Sequence, residues 1–410
     1  MNNSFKKSVL WNTIGGALNS FSSLFFLIIV TRINGVDEAG IFTLAYASAC
    51  MFYIIGVYSG RTYQVTESNK KVTDNEYIVS RIVTVGVMLI ICFTFGIING
   101  YYWQKMIVFL LLCFSKGIEA LSDVFHGILQ KNERLDMVGK SLSIRNLFGL
   151  CSFLLIELFT NNLIYSCVSL ILINIFALLF IDIRASLKYK IKNQSINANY
   201  CRLIIFAGFY TFGFSFIANY LVNAPRYAID SILTSDMQTV FGIIVMPASV
   251  IMLINQFIIQ PMITRLKEEY EDRNKEKFLK LIYKVIILTI LTGLISIILA
   301  NFFGAVVLKL MYGLSLIKYI PSLLLILLGA TIYTIASVLS NGMIVLRKTK
   351  VQLYIYIITA IFAFILSYNM VNSFGFNGAI YSYLLIMILL LILYIAAFIK
   401  ILVKDKVFEV

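Results

Sequence analysis

The sequence has little of what a soluble enzyme uses. Among 410 residues there are one histidine, two tryptophans, four prolines and six cysteines, and only 13% are charged. A single histidine rules out an H-E-x-x-H zinc site. The cysteines, at 50, 92, 113, 151, 167 and 201, form no C-x-x-C pair. They read as small apolar packing residues, with no disulfide or metal framework. No G-x-x-x-x-G-K-[ST] loop is present, so ATP is not an energy source through this chain. No G-x-S-x-G elbow is present either, and nothing resembles a catalytic centre. We expect no enzyme activity, no catalytic residue, no bound metal and no organic cofactor.

What is abundant is apolar surface. The chain is 60% hydrophobic, where soluble domains run about 45–50% apolar and about 25% charged. A soluble fold could not bury that much, so the membrane is its solvent. A spanning helix needs roughly 20 apolar residues. Twelve such runs are found, near 10–31, 39–60, 79–99, 105–128, 142–160, 163–183, 203–223, 238–259, 282–303, 321–345, 351–371 and 378–399. The expected fold is all-α, a polytopic membrane protein of about 12 transmembrane helices. The first run is too long for a signal peptide, and no small-x-small cleavage site follows it.

The net charge of +14 reports topology and calls for no nucleic acid. With the N-terminus in the cytoplasm and twelve alternating spans, the inward segments carry 28 of the 34 Lys and Arg. The outward loops carry five: Arg32, Lys105, Arg226, Lys309 and Lys318. This is the positive-inside distribution, with both termini cytoplasmic. Lys116 is left within a span.

The chain divides at the polar stretch "RASLKYKIKNQSINANYCR". The expected organisation is an N-terminal six-helix lobe over 1–185, a cytoplasmic linker over 186–201 and a C-terminal six-helix lobe over 202–410. The lobes look like weak copies. Span two opens with "GIFTLAYASACMFYI" from Gly40 and span eight with "GIIVMPASVIMLIN" from Gly242. Each is followed by a charged loop, and each Gly is preceded by an arginine, Arg32 or Arg226. Parallel repeats place a substrate path at their interface. The longest loops, 61–78, 184–201 and 262–281, all fall inward, which leaves no sizeable outer domain. The mixed-charge stretch "RLKEEYEDRNKEKFLKLIYK" is expected to form a surface helix.

Polar groups inside the spans carry the chemistry. In "KGIEALSDVFHGILQ", Lys116, Glu119, Asp123, His126 and Gln130 recur at steps of 3, 4, 3 and 4. On a helix they form one stripe. A charge at the bilayer centre costs at least about 2.5–3.5 kcal/mol, so the stripe must face other helices or water. Internal pairing of Lys116 with Glu119 and the lining of an aqueous path are the two readings. His126 could titrate near neutral pH or merely sit at an interface. Span one holds Asn12, Gly15, Gly16 and Asn19, and span seven holds Asn219 and Asn223. Such residues serve close packing or line a polar cavity. Pro247 favours a kink in span eight. Arg32 and Arg226 suit bidentate phosphate contact or ordinary snorkelling.

The chain resembles the Wzx-type oligosaccharide flippases of the MOP (multidrug/oligosaccharidyl-lipid/polysaccharide) exporter superfamily. The likeness lies in the polar first helix with "VTRINGVDEAGIFTLAYA", in "IEALSDVFHGILQKNERLDMVGKSLSIRNL" and in "APRYAIDSIL…FGIIVMP". It covers essentially the whole chain. The resemblance implies a two-lobed, MATE-like bundle around a cationic cavity. It implies transfer of an undecaprenyl-pyrophosphate-linked oligosaccharide across a bacterial cytoplasmic (inner or plasma) membrane, for O-antigen, capsule or exopolysaccharide. The implied partners are the lipid-linked oligosaccharide, membrane lipids, and the polymerase and glycosyltransferases of the same polymer. A diphosphate needs cations at membrane depth, which would fall to Lys116, Arg32 and Arg226. Glu119 and Asp123 would compensate charge or bind a coupling proton or sodium ion. Asn12, Asn19, Asn219, Asn223 and His126 would supply polar groups to the cavity. The alternatives are a MATE-like drug or metabolite exporter and, further off, a membrane polymerase or ligase.

Overall fold

A computed structural model describes residues 3–58, 60–66, 72–189 and 196–404. Among them every regular element is helical. Part of the linker expected over 186–201 lies outside the described residues. The chain is a multi-pass membrane protein. Among the described residues, ten helices are long and apolar enough to cross a bilayer.

The chain divides into two compact units, residues 1–216 and 217–410. The first holds α1 (Asn3–Ile33), α2 (Val36–Val57), the short α3 (Gly60–Thr66), α4 (Asp74–Ile98), α5 (Trp103–Lys131), α6 (Leu135–Thr160) and α7 (Leu163–Phe176). The chain of α7 continues as a π-helical stretch, Ala177–Ile183, into the brief α8 (Arg184–Ser186). The helix α9 (Ala198–Ile232) carries the boundary between the units, and Pro225 lies inside it. The second unit continues with α10 (Ser235–Glu271), α11 (Lys275–Tyr312), α12 (Ile320–Val345) and α13 (Thr349–Lys404).

Several helices outrun the apolar stretches that announce them. A helix satisfies its own backbone, so polar ends can stay helical beyond the hydrocarbon. The stretch 265–284 shows this and corrects an expectation. It forms no separate surface helix: α10 runs to Glu271, and α11 starts at Lys275 after a turn through Arg273 at φ 57°. Likewise α13 joins two apolar runs, with Gly375 at φ 56° and ψ −135° as a break inside it. The loop expected from residue 61 opens with α3 instead.

In the first unit α1 packs on α6, and α2 packs on α5 and α4. Phe26, Phe42, Tyr46 and Phe153 form one aromatic cluster, with Phe26 and Phe153 centroids 5.0 Å apart. In the second unit α12 lies against α13, α10 and α11. The outer faces stay apolar: Phe302 is 72% and Leu310 75% exposed. In a membrane protein such faces meet lipid tails.

The α1–α6 contact is close enough to need glycine on both sides. A Cβ on Gly139 would stand 2.2 Å from the Trp11 carbonyl, and one on Gly15 would stand 2.4 Å from the Gly139 oxygen. Those neighbours are backbone and cannot rotate away. Small residues at a helix crossing permit this approach in lipid. Gly139→Ala is therefore expected to destabilise the fold by about 1–3 kcal/mol through overpacking. Gly16 has open space around it, so Gly16→Ala is the control and should be neutral or slightly stabilising. Thermal unfolding of the two purified variants in one detergent checks the contrast.

Candidate functional site

The stripe on α5 finds its partners within the first unit. Lys116, near the middle of the helix, pairs with Glu119 Oε2 at 2.8 Å. Its ammonium also stands 5.1 Å from the centroid of the Tyr46 ring on α2. Asn174 on α7 donates to Ser115 Oγ at 2.7 Å and to Glu119 Oε1 at 3.5 Å. The Lys116 and Glu119 side chains are only 12% and 18% exposed. The i,i+3 spacing brings these two groups together, as the sequence allows.

One turn on, Asp123 accepts from two arginines. Arg81 on α4 reaches Oδ2 at 3.1 Å, and Arg61 on α3 reaches Oδ1 at 3.4 Å. Arg61 also donates through Nε to Gln130 at 2.9 Å. Arg81 is the buried partner and Arg61 the part-exposed one, at 3% and 28%. This contact holds α3 and α4 onto α5.

His126 is buried in the bundle. Its Nε2 lies 3.0 Å from Asp182 Oδ1 on the π-helical stretch. Ser141 on α6 donates to the same oxygen at 2.5 Å. Arg145 Nη2 donates to Asp182 Oδ2 at 2.8 Å and to Ser122 Oγ at 2.6 Å. Asp182 is 0% exposed. A buried carboxylate survives ionised only with such donors and a cation around it. The insertion of a π turn is a common device at functional positions, and here it carries the residue that ties α5 to α6.

Beside Lys116 and Glu119 is a small pocket of about 20 Å³, room for one or two water molecules. Ser22, Tyr46, Lys116, Glu119, Arg145 and Asn174 are on its wall. Arg145 Nε is buried there with no hydrogen-bond partner. Four cations (Lys116, Arg61, Arg81 and Arg145) stand against three carboxylates (Glu119, Asp123 and Asp182). The extra cation is at Asp123, which both Arg61 and Arg81 bond, while Lys116 and Arg145 each have a carboxylate of their own.

The other sequence candidates are dispersed. Arg32 is exposed on the last turn of α1. Arg226 is 4% exposed in the second unit, with its guanidinium 5.6 Å from the Phe241 centroid. Asn219 and Asn223 bond each other along α9, Nδ2 to Oδ1 at 3.1 Å. Asn19 is exposed and accepts a long bond from Asn146 at 3.4 Å, while Asn12 is half-buried. Arg81, Arg145 and Asp182 were not legible as site residues. The two arginines pass for cytoplasmic flanks of their spans. Asp182 is the missed signal: a lone carboxylate in the apolar run "IFALLFID" needs a partner. Among the described residues, no group of three or more His, Cys, Asp or Glu stands together as a metal site.

Solved structures share this arrangement of helices. An inward-facing MATE transporter of the MOP superfamily matches 98% of this chain and 99% of its own, with a TM-score of 0.67 at 13% identity. The lipid II flippase MurJ, in an inward closed conformation, matches 98% of this chain and 89% of its own, with a TM-score of 0.74 at 15% identity. The chain shares the fold of these two transporters. A sequence relative adds to this. The capsular polysaccharide biosynthesis protein CapF of Staphylococcus aureus is 25% identical over 372 residues, covering 89% of this chain and 92% of that protein. No protein-family model matches the sequence.

Proposed function

We propose that this chain is a flippase that carries a lipid-linked polysaccharide precursor across the bacterial cytoplasmic membrane. The observation that carries the proposal is the likeness to a capsular polysaccharide protein over nearly the whole of both chains, on a fold shared with a lipid II flippase. The cations held against α5 support it, since the cargo's diphosphate is an anion that must pass an apolar layer. The protein moves this cargo and makes or breaks no bond in it.

In this proposal α5 crosses the membrane along with the ten apolar helices, and α13 crosses twice with Gly375 at the turn. That gives twelve crossings, two six-helix lobes and both termini in the cytoplasm. The polar 186–201 stretch links the lobes. Lys116 is a phosphate contact, and Arg32 and Arg226 are the other cations assigned to the cargo. Glu119 holds Lys116 while no cargo is bound. Asp123, bonded by Arg61 and Arg81, compensates charge. A proton or sodium ion drives the cycle, and the precursor comes from glycosyltransferases and passes to a polymerase.

The test is made in cells that lack the protein. Lipid extraction with leaflet-selective labelling should find a prenyl-diphosphate oligosaccharide accumulating on the cytoplasmic side, with loss of surface polymer. An intermediate that reaches the outer leaflet at the normal rate would remove the flippase function.

A further inference from the structure

Two exposed apolar stripes of the first unit end in cations at the same end of the bundle. On α6, Ile144, Leu147 and Phe148 are exposed, and at helical spacing their face begins with Lys140. From α7 into the π-helical stretch, Leu172, Phe176 and Phe180 stand exposed four residues apart. Arg184, also exposed, follows at the next such step. The two stripes belong to neighbours: Ser141 and Arg145 of α6 bond Asp182, and Val138 of α6 packs with Ala185.

Further charges gather at this end. Lys188 is exposed one turn past Arg184, and beside it the Tyr189 hydroxyl accepts from Arg134 Nη1 at 2.6 Å. Arg134 is committed elsewhere too, since Nε and Nη2 donate to Asp136 at 2.9 and 3.2 Å. The Lys140 ammonium is 4.0 Å from Asp136 and 5.7 Å from the centroid of the Trp11 ring on α1. Lys131 pairs with Asp74. Arg134, Lys140, Arg184 and Lys188 thus have two carboxylates among them, Asp136 and the exposed Glu133. Asp136 answers Arg134 first, which leaves positive charge at the rim.

The order of these groups along the stripes matches one kind of ligand. Tryptophan sits at the level of lipid head groups, so Trp11 sets that level for Lys140 beside it. Lysine and arginine reach head groups with their stems along apolar surface. Each stripe therefore presents a cation at the rim and hydrocarbon contact further in. A phospholipid has the complementary order, phosphate first and acyl chains after. A soluble anion would use the cations and leave the stripes idle. A zwitterionic head group brings its own cation to a rim already rich in them. Basic pockets between membrane helices on the cytoplasmic side are known seats for anionic head groups, and this end is the cytoplasmic one in the topology proposed above.

We propose that Lys140, Arg184 and Lys188, with Trp11 at the rim, form a binding site for a phospholipid whose head group has a net negative charge. Lys140 and Arg184 take the phosphate, and the acyl chains lie along the exposed stripes of α6 and α7. The bound lipid braces from outside the contact between α6 and the π-helical stretch that Asp182 makes from inside. The site needs no cargo and goes beyond the flippase function.

Thermal unfolding of the purified full chain in a non-ionic detergent, titrated with phosphatidylglycerol, tests it. The lipid should raise the wild-type midpoint, and phosphatidylcholine with the same acyl chains should raise it far less. Each cation near an anionic lipid is worth about fivefold in affinity. Lys140→Gln, Arg184→Gln and Lys188→Gln together should therefore weaken the apparent affinity by roughly a hundredfold. The same loss of charge at the exposed Lys267, Lys277 and Lys280 of α10 and α11, each changed to Gln, should leave it unaltered. Equal weakening by that control would mean a general attraction to basic protein and overturn the proposal. An equal gain from phosphatidylcholine would assign the effect to acyl chains alone, and an equal gain from inorganic phosphate would assign it to a free anion. Either overturns the site, as does no gain from phosphatidylglycerol. Should the triple variant fail to fold, Lys140→Gln and Arg184→Gln singly, each expected to cost about fivefold, carry the test. The titration contains no cargo, so a failed leaflet assay beside a positive titration would remove the flippase function alone.

Discussion

Asp182→Ala is expected to lower the stability of the bundle by about 3–5 kcal/mol, the usual cost of breaking a buried ion pair from one side. The carboxylate accepts from Arg145, Ser141 and His126, all on neighbouring helices. Its loss strands a guanidinium that is itself 5% exposed. The damage comes from that orphaned charge more than from the bond lost. A double variant, Asp182→Leu with Arg145→Met, removes both charges and should recover most of the stability. Unfolding of the purified variants in one detergent measures both. Equal destabilisation by the single and double changes would mean that the network's value lies in hydrogen bonds and packing. In that case the ion pair would carry little of it.

The same residues show what the sequence yields and what it withholds. Apolar length is local, so the helices were legible from runs of roughly 20 residues. Where a run ends and where its helix ends are different questions, because intrahelical hydrogen bonds do not need an apolar flank. That is why α10 and α11 extend through the charged stretch 262–281 to a three-residue turn. The stripe on α5 was legible too, since its period is that of one helix. Its partners were not. Arg81, Arg145 and Asp182 are far from α5 in sequence, and pairing across helices leaves no periodic trace. Counting basic residues assigned Arg81 and Arg145 to the cytoplasmic side, and that sum cannot tell a solvated arginine from a buried one. The acidic residues were the better clue. Asp182 interrupts an apolar run, and a carboxylate in such a place is there for a partner.

Lys116→Gln, combined with Glu119→Gln, is expected to slow cargo transfer by roughly ten- to hundredfold. The estimate takes a charge-assisted hydrogen bond as about 1.5–3 kcal/mol, with each 1.4 kcal/mol worth about tenfold. The double change matters. Lys116→Gln alone would leave Glu119 without its 2.8 Å partner, and lost folding could pass for lost transport. Removing both charges leaves the net charge of the site unchanged and isolates the contact with the cargo. Glu119→Gln alone retains the cation and should bind diphosphate at least as well, because the competing carboxylate is gone. Lys116→Arg keeps the charge and should retain part of the activity, though the fork is larger than the ammonium beside Tyr46. The measurement is the rate at which lipid-linked oligosaccharide reaches the outer leaflet, with each variant present at wild-type amount. A folded double variant that transfers cargo at the normal rate would remove Lys116 as a phosphate contact. The polar stripe of α5 would then serve to hold α2, α4 and α7 around it, and the cargo's diphosphate would depend on other cations.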